Sequence, residues 1–293
     1  KGVPYDYYPH LGSYIWAFYM SLPFIELEYF GRLSYLFIFC FSIYYITRLD
    51  VGKNFFVLLY LSLVIILYNY ERFSGLQEII LFSFLTIASK SLYELNFKKN
   101  LTDLIMLVLI ANLLLWIKAE GIIFGFTIIL IMLFNKKIFL KEKLIIFFSF
   151  IIIISFKYYV YSFYNFETSA QPYNFKEFFL FSLENIFYRL EKIIIYLGYY
   201  SLKNPIFLLG TILLFILNFS KKNKIYLKNF NIYFIFNTLF IFSAYLFRDL
   251  EIIYSLRTTL ERIVFTSSGF YVYLIILFIN KKSKINKKKW KLL

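Results

Sequence analysis

The segment IIFFSFIIIISF at positions 145–156 decides the fold class of this protein. A β-strand at a lipid surface alternates polar and apolar residues, whereas this segment is apolar on every side. An isolated strand also leaves its backbone groups unpaired in lipid, so an all-apolar segment must span the membrane as a helix. The apolar run extends over 144–161, close to the roughly 20 residues needed to cross a hydrocarbon core about 30 Å thick. It therefore predicts a transmembrane helix.

The remaining sequence repeats this pattern. Of its 293 residues, 61% are hydrophobic and 24% aromatic, while a soluble domain is about 45–50% apolar. We expect an all-α, polytopic transmembrane bundle that forms a single integral membrane domain over 1–293. The predicted spans are nine: 31–47, 55–69, 77–95, 101–117, 121–134, 144–161, 206–219, 231–247 and 265–280.

Several kinds of soluble chemistry are excluded by residue counts. Cys40 is the only cysteine, so neither an intrachain disulfide nor a cysteine metal site can form. His10 is the only histidine, which argues against a histidine metal site or a Ser-His-Asp triad. The ten glycines form no GxGxxG motif and no P-loop. No metal or cofactor is indicated by any motif.

Basic residues are concentrated in alternate loops. Nineteen of the 32 lie in 48–53, 96–100, 135–143, 220–230 and 281–293. The positive-inside rule places these loops in the cytoplasm, together with the C-terminal tail. The lysines of the tail 281–293 directly follow a predicted span. This position indicates that the tail binds anionic membrane lipids rather than nucleic acid. The predicted location is the bacterial inner (plasma) membrane.

The opposite, outer face then holds residues 1–30 and the long loop 162–205. In that loop Asn174 and Glu177 resemble the start of a capping box. The segment 174–196 carries Glu177, Glu184, Tyr188 and Glu191 on one side and Phe178, Phe181, Ile186, Leu190 and Ile193 on the other. This pattern predicts an interfacial amphipathic helix parallel to the membrane. It would roof the bundle or act as a lid for a lipid-linked substrate.

Ionisable residues at the outer ends of spans are the candidate site residues, because such groups must meet water or one another. Asp6 and His10 lie in the N-terminal segment, either as part of an interfacial belt or at a cavity mouth. Lys118 and Glu120 lie between two apolar runs in LLLWIKAEGIIFGF, positions 113–126. They either close a simple hairpin or face a polar substrate.

The segment FRDLEIIYSLRTTLERIVFTSSGF, positions 247–270, has helical spacing of its polar residues. One polar stripe is predicted, consisting of Arg248, Glu251, Ser255, Thr259 and Arg262. Arg257 and Glu261 are expected to form an i,i+4 ion pair. The arginines either serve as solvated charges or hold a phosphate, since a guanidinium offers paired donors to phosphate oxygens.

Four short motifs occur in order: Tyr8-Pro9-His10-Leu11, Phe30-Gly31-Arg32-Leu33, Lys118-Ala119-Glu120-Gly121 and Thr259-Leu260-Glu261-Arg262. Their order and predicted sidedness resemble polytopic glycosyltransferases of the GT-C superfamily, such as protein mannosyltransferases and aminoarabinose transferases. The resemblance implies transfer of a sugar from a polyprenyl-phosphate donor on the outer side of the membrane. The acceptor would be an envelope glycolipid, a polysaccharide or a protein.

The resemblance also implies roles for the candidate residues. The catalytic acid of these enzymes follows their first helix, and both would lie upstream of Lys1. Asp6 is the nearest acid in this sequence and the one catalytic candidate. Arg257 and Arg262 would stabilise the departing phosphate. His10, Lys118 and Glu120 would help to bind the substrate.

Two other functional classes stay open. One is an envelope polysaccharide protein such as an O-antigen polymerase or ligase. The other is a transporter or flippase, which charged residues in span centres with partners on other spans would favour. Lys157, within the predicted span 144–161, is the candidate for such a residue, and we expect its ammonium group to extend toward the interface.

Overall fold

A computed structural model of the protein describes Phe18 and residues 29–47, 77–118, 120–163, 183–219, 224–247 and 251–290. These residues are helical apart from short connections, and no strand occurs among them. The all-α prediction is therefore confirmed for this part of the chain. The helices are α1 (Tyr29–Thr47), α2 (Glu78–Leu95), α3 (Leu101–Ile117), α4 (Gly121–Leu133), α5 (Leu140–Phe163), α6 (Leu183–Lys203), α7 (Pro205–Asn218), α8 (Lys224–Leu246), α9 (Ile252–Ser255) and α10 (Glu261–Trp290), with a π-helical turn (Leu256–Leu260) between α9 and α10.

Three segments are long and apolar enough to cross a membrane: Leu140–Phe163, Leu227–Leu246 and Ile252–Ile279. A fourth crossing results if the bent pair α6 and α7 counts as one span. The predicted span 121–134 is a helix of 13 residues, Gly121–Leu133, which is about 20 Å long at 1.5 Å per residue. The predicted span 55–69 lies outside the described residues. The number nine thus stays a prediction.

Helix α10 is the central element, and aromatic rings fix its register against two neighbours. On α2, the ring of Phe82 stacks on Phe265 with centroids 5.1 Å apart. Four residues further along each helix, the Thr86 hydroxyl donates to the Gly269 carbonyl at 3.0 Å, so α2 and α10 run parallel. On α8, Tyr233 stacks on Phe270 at 3.9 Å. The Tyr245 hydroxyl lies 2.7 Å from that of Thr259, so α8 runs antiparallel to α10.

Glycines bring helices into close contact at two interfaces. A Cβ atom at Gly269 would lie 2.3 Å from the Phe82 carbonyl oxygen, on α2. In the hairpin of α3 and α4, a Cβ at Gly125 would lie 2.6 Å from the Ala111 carbonyl oxygen. Small residues of this kind let backbones approach closely in helical membrane proteins. The glycines therefore determine how near α10 and α4 lie to their neighbours.

The predicted amphipathic helix of the long loop is present in part. Its first residues, 174–182, lie outside the described residues; from Leu183 it continues past 196 to Lys203. It then meets α7 at an angle of 106°. Asn204 caps α7 by accepting from the Phe207 amide, and Pro205 begins α7, a position where proline needs no backbone donor. The orientation of α6 to a membrane stays a prediction.

Two buried lysines cap the ends of neighbouring helices. Lys157 does not reach the interface as expected: it is 6% exposed, and its ammonium group donates to the Leu115 carbonyl in the last turn of α3. Lys90, on α2, donates to the Tyr45 carbonyl in the last turn of α1 at 2.8 Å. The last carbonyls of a helix have no partner within it and attract cations. Each lysine thus neutralises a helix end that the bundle buries.

Candidate functional site

Four charged side chains meet where α2, α4 and α10 begin and α3 ends. We call Glu78, Lys118, Glu120 and Arg262 the Glu78 cluster. The Oε1 atom of Glu78 lies 3.1 Å from Lys118 Nζ and 3.7 Å from Arg262 Nε. Lys118 Nζ also lies 3.3 Å from an oxygen of Glu120. Glu78 is buried while Arg262 is about half exposed, so the cluster extends from the bundle interior to its surface.

The sequence Lys118-Ala119-Glu120-Gly121 explains how α3 and α4 supply two members of the cluster. The backbone of Lys118 is extended, which ends α3. A Cβ atom at Gly121 would lie 1.9 Å from the Leu114 carbonyl oxygen, so only glycine lets α4 begin directly against the last turn of α3. The tight connection keeps Lys118 and Glu120 beside each other.

Helix dipoles favour three of the four charges. Glu78 lies in the first turn of α2, and Glu120 is the N-terminal cap of α4. Lys118 follows the last turn of α3. Carboxylates are stabilised at helix N-termini and cations at C-termini. Arg262 lies instead near the N-terminus of α10, where the dipole favours an anion beside it.

The charge state of Lys118 follows from opposing effects. Burial lowers the pKa of its ammonium group, but the carboxylates of Glu120 and Glu78 outweigh that effect and hold the pKa above its usual value of 10.5. Lys118 is therefore a cation at neutral pH. With Arg262 it balances the charges of the two carboxylates.

Arg257 lies in the π-helical turn and contacts a different helix. Its Nε donates to the Tyr196 hydroxyl on α6 at 3.0 Å. The Tyr200 hydroxyl, also on α6, donates to the Arg257 carbonyl at 3.3 Å. Helix α6 therefore holds both the side chain and the backbone of this residue.

The predicted arrangement of this segment is wrong in two respects. Among the ion pairs of the described residues, none joins Arg257 to Glu261; the Arg257 Nε donates to the Tyr196 hydroxyl on α6 instead. The polar stripe is also not uniform, since Ser255 is 1% exposed whereas Arg262 reaches the surface. Arg248 lies outside the described residues.

The structure brings together Lys118, Glu120 and Arg262 among the predicted site residues, whereas Arg257 contacts Tyr196 on α6. Asp6 and His10 lie outside the described residues. Glu78 was missed by the sequence analysis, although an acidic residue directly before the apolar run 79–95 is a usable signal. Tyr196 was missed too, and no local pattern marks it among the many tyrosines of the chain.

Within the part of the chain that the structure describes, no three His, Cys, Asp or Glu side chains gather as metal ligands would. The Glu78 cluster is thus a site of paired cations and carboxylates. Such a site can hold an anionic ligand on its cations and a hydroxyl group on its carboxylates.

Compared with known proteins, the sequence matches no protein-family model, no curated protein and no solved structure.

Proposed function

We propose that this protein is a membrane glycosyltransferase that transfers a sugar from a polyprenyl-phosphate donor to an envelope glycolipid, polysaccharide or protein acceptor. The reaction would occur on the outer side of the bacterial inner membrane. The observation that carries the proposal is the shared contact of Lys118 and Arg262 with Glu78. It joins the KAEG turn and the TLER segment, two of the motifs on which the family resemblance rests.

Arg262 is the cluster residue best suited to contact the donor. It is about half exposed, and the ion pair engages its Nε. The terminal nitrogens then face a phosphate with two donors in a fixed plane. As the sugar leaves, negative charge builds on the phosphate, and a guanidinium already in place stabilises it.

Glu78 has a different role in this proposal. A buried carboxylate that neutralises two cations is poorly suited to accept the proton of an acceptor hydroxyl. It serves instead as a positioning residue that holds Lys118 and Arg262 on one side of the site. The general base is left to another carboxylate, for which Asp6 is the sequence candidate.

The directions of the helices support the predicted topology. Helices α2 and α10 run parallel and α8 runs opposite, as loops on alternate sides require. Several large apolar side chains of α5 are exposed, including Ile145, Phe148 and Ile152. An apolar surface of this kind is stable against lipid rather than water.

The contacts of the buried lysines bear on the alternative that the protein is a transporter or flippase. Charged residues within spans favour a transporter when they pair along a path. Lys90 and Lys157 donate to carbonyls in the last turns of neighbouring helices, and Lys90 also pairs with Glu94 on its own helix at 3.8 Å. Neither lysine pairs with a carboxylate of another span among the ion pairs of the described residues, so these contacts do not favour a transporter.

The proposal is tested by replacing Arg262 in the protein reconstituted with a polyprenyl-phosphate-linked sugar. Arg262→Ala should abolish transfer while leaving membrane insertion intact. Arg262→Lys should retain only part of the sugar transfer, because an ammonium group keeps the charge but lacks the paired donors of a guanidinium. Lys192→Ala is the control, since Lys192 pairs with Glu191 on α6; its transfer should be normal. Normal transfer by the Ala variant would reject the site, and a polymer as the product would favour the polymerase alternative.

A further inference from the structure

A buried asparagine on α8 has an unpaired side chain. Asn237 is 3% exposed, and neither its amide nitrogen nor its amide oxygen forms a hydrogen bond among the described residues. Almost all buried polar groups in proteins are paired, because an unpaired amide in an apolar interior is costly. Two other asparagines of α8 are paired: Asn229 donates to the Leu92 carbonyl, and Asn231 exchanges two hydrogen bonds with Asn218. The unpaired amide of Asn237 therefore points to a ligand.

Aromatic contacts place Asn237 beside α4. The ring of Phe124 lies 6.3 Å from that of Tyr233 and 6.1 Å from that of Phe240, measured between centroids. Asn237 follows Tyr233 by four residues and precedes Phe240 by three, so all three share one face of α8. The Phe124 amide donates to the Glu120 carbonyl, which puts Glu120 one turn nearer the start of α4. Asn237 is thus about one helical turn deeper in the bundle than the Glu78 cluster.

Helix α10 brings Arg262 to the same region. Two hydrogen bonds, at 3.2 Å and 2.7 Å, join the ends of the α8 stretch 233–245 to the ends of the α10 stretch 259–267. The two helices run antiparallel, and Asn237 lies inside the first stretch while Arg262 lies inside the second. The unpaired amide and a cation of the Glu78 cluster therefore lie in one region, where α4, α8 and α10 pack together.

The chemistry of this region fits a neutral hydroxyl group. An amide donates and accepts hydrogen bonds, as a hydroxyl does, and it carries no charge to attract an ion. One oxygen of Glu120 is also buried without a described partner, and a carboxylate accepts from a hydroxyl. The rings of Phe124, Tyr233 and Phe240 supply apolar surface around the amide. Sites for small molecules are mostly apolar, with a few polar groups that fix the orientation of the ligand.

We propose that Asn237 binds a hydroxyl group of the sugar on the lipid-linked donor and so determines which sugar the protein accepts. The identity of the donor rests on the proposed function, in which Arg262 contacts the phosphate. The sugar is bonded directly to that phosphate, so its hydroxyl groups come close to Arg262 and its neighbours. A site that pairs with a hydroxyl discriminates strongly against an analogue that lacks it, because the amide is then left unpaired.

The test compares binding of lipid-linked sugars by the full chain in nanodiscs. The ligands are polyprenyl phosphate and the same lipid linked to glucose, mannose, galactose or arabinose. Asn237→Leu replaces the amide by an apolar group of similar size. Its Kd for the sugar that binds the wild type most tightly should rise about tenfold, as expected for lost hydrogen bonds to a hydroxyl. Its Kd for polyprenyl phosphate without a sugar should not change.

Asn231→Leu is the matched control on the same helix. It should bind every ligand as the wild type does, and its thermal midpoint should fall, because the Asn218 amide loses its partner. The midpoint of Asn237→Leu should rise instead, because the substitution removes an unpaired amide from the interior. A lower midpoint for Asn237→Leu would show that the protein or internal water pairs this amide, and it would overturn the inference.

Monodeoxy analogues of the most tightly bound sugar test the contact itself. The wild type should bind one analogue about tenfold more weakly than the parent sugar. Asn237→Leu should bind that analogue and the parent sugar equally, because the hydrogen bond that distinguishes them is gone. A difference that persists in the Leu variant would assign the hydroxyl to another residue and overturn the inference.

The outcomes separate this inference from the proposed function. Equal binding of the sugar by Asn237→Leu and wild type would overturn the inference, while observed sugar transfer would leave the glycosyltransferase intact. A loss of binding confined to the sugar-linked lipid, without any transfer, would support the sugar site and reject the glycosyltransferase. If no linked sugar binds the wild type more tightly than polyprenyl phosphate alone, the inference is overturned.

Discussion

Glu78 and Lys118 form an ion pair at 3.1 Å that joins the first turn of α2 to the connection between α3 and α4. Glu78 is 2% exposed and Lys118 is 16% exposed, so both charges are largely withdrawn from water. Removing one partner of such a buried pair strongly destabilises a protein, because the other charge is left buried without compensation. The consequences of that arrangement can be measured.

Replacing Glu78 by Gln should destabilise the bundle by about 1–3 kcal/mol, because it leaves a buried cation with one carboxylate fewer. Thermal unfolding in detergent measures this change. Glu191→Gln is the control: Glu191 forms an exposed pair with Lys192, and such pairs contribute about 0–1 kcal/mol. Equal stability of Glu78→Gln and wild type would contradict the structural role of the pair.

Two glycines of the helices should respond in opposite ways to alanine. Gly269→Ala places a Cβ atom 2.3 Å from the Phe82 carbonyl oxygen, so α2 and α10 must separate, at a cost of about 1–3 kcal/mol for overpacking. Gly198→Ala meets no atom within 4 Å and should gain about 0.5–1 kcal/mol of helix stability. Thermal unfolding of both variants checks the signs. A tolerated Gly269→Ala would reject the close approach of these helices.

The stability contributed by the Lys118 charge should depend on alkaline pH. Its pKa in the folded state lies above the usual 10.5, since Glu120 and Glu78 outweigh the effect of burial. The contribution is therefore fully present below the unfolded pKa and is lost as pH rises through the folded value. The stability difference between wild type and Lys118→Gln should shrink above pH 10.5. A difference that stays constant through that range would show that Lys118 does not titrate there.

Membrane sidedness is tested by single cysteines in a Cys40→Ser background. An impermeant thiol reagent applied to intact cells should modify sites in 165–200 and 250–260. It should not modify sites in 136–143 or 281–291, which the positive-inside rule places in the cytoplasm. Glu191→Cys and Lys137→Cys form a matched pair, because both residues are exposed. Labelling of the lysine-rich tail from outside would reverse the orientation.

Much of the helical structure could be predicted because its signals are local. The predicted segments 77–95 and 101–117 match α2 and α3 within one residue, since an apolar run and its polar ends are contiguous in the sequence. The prediction was poorer where a side chain depends on a distant partner. Lys157 was expected at the interface but caps α3, because the free carbonyls that attract it belong to another helix.

The sequence by itself determined that the part of the chain that the structure describes is helical and that several of its segments are apolar enough for a membrane; it also predicts that lysines concentrate in alternate loops. These properties depend on composition and spacing along the chain. The tertiary structure alone decided that Glu78 lies between Lys118 and Arg262, because that contact requires α2 and α10 to approach at Gly269 and α4 to begin against α3 at Gly121. The same holds for the π turn, which arises where Tyr200 and Tyr196 of α6 hold the backbone and side chain of Arg257. Close packing and hydrogen bonds between distant segments leave no periodic pattern in the sequence.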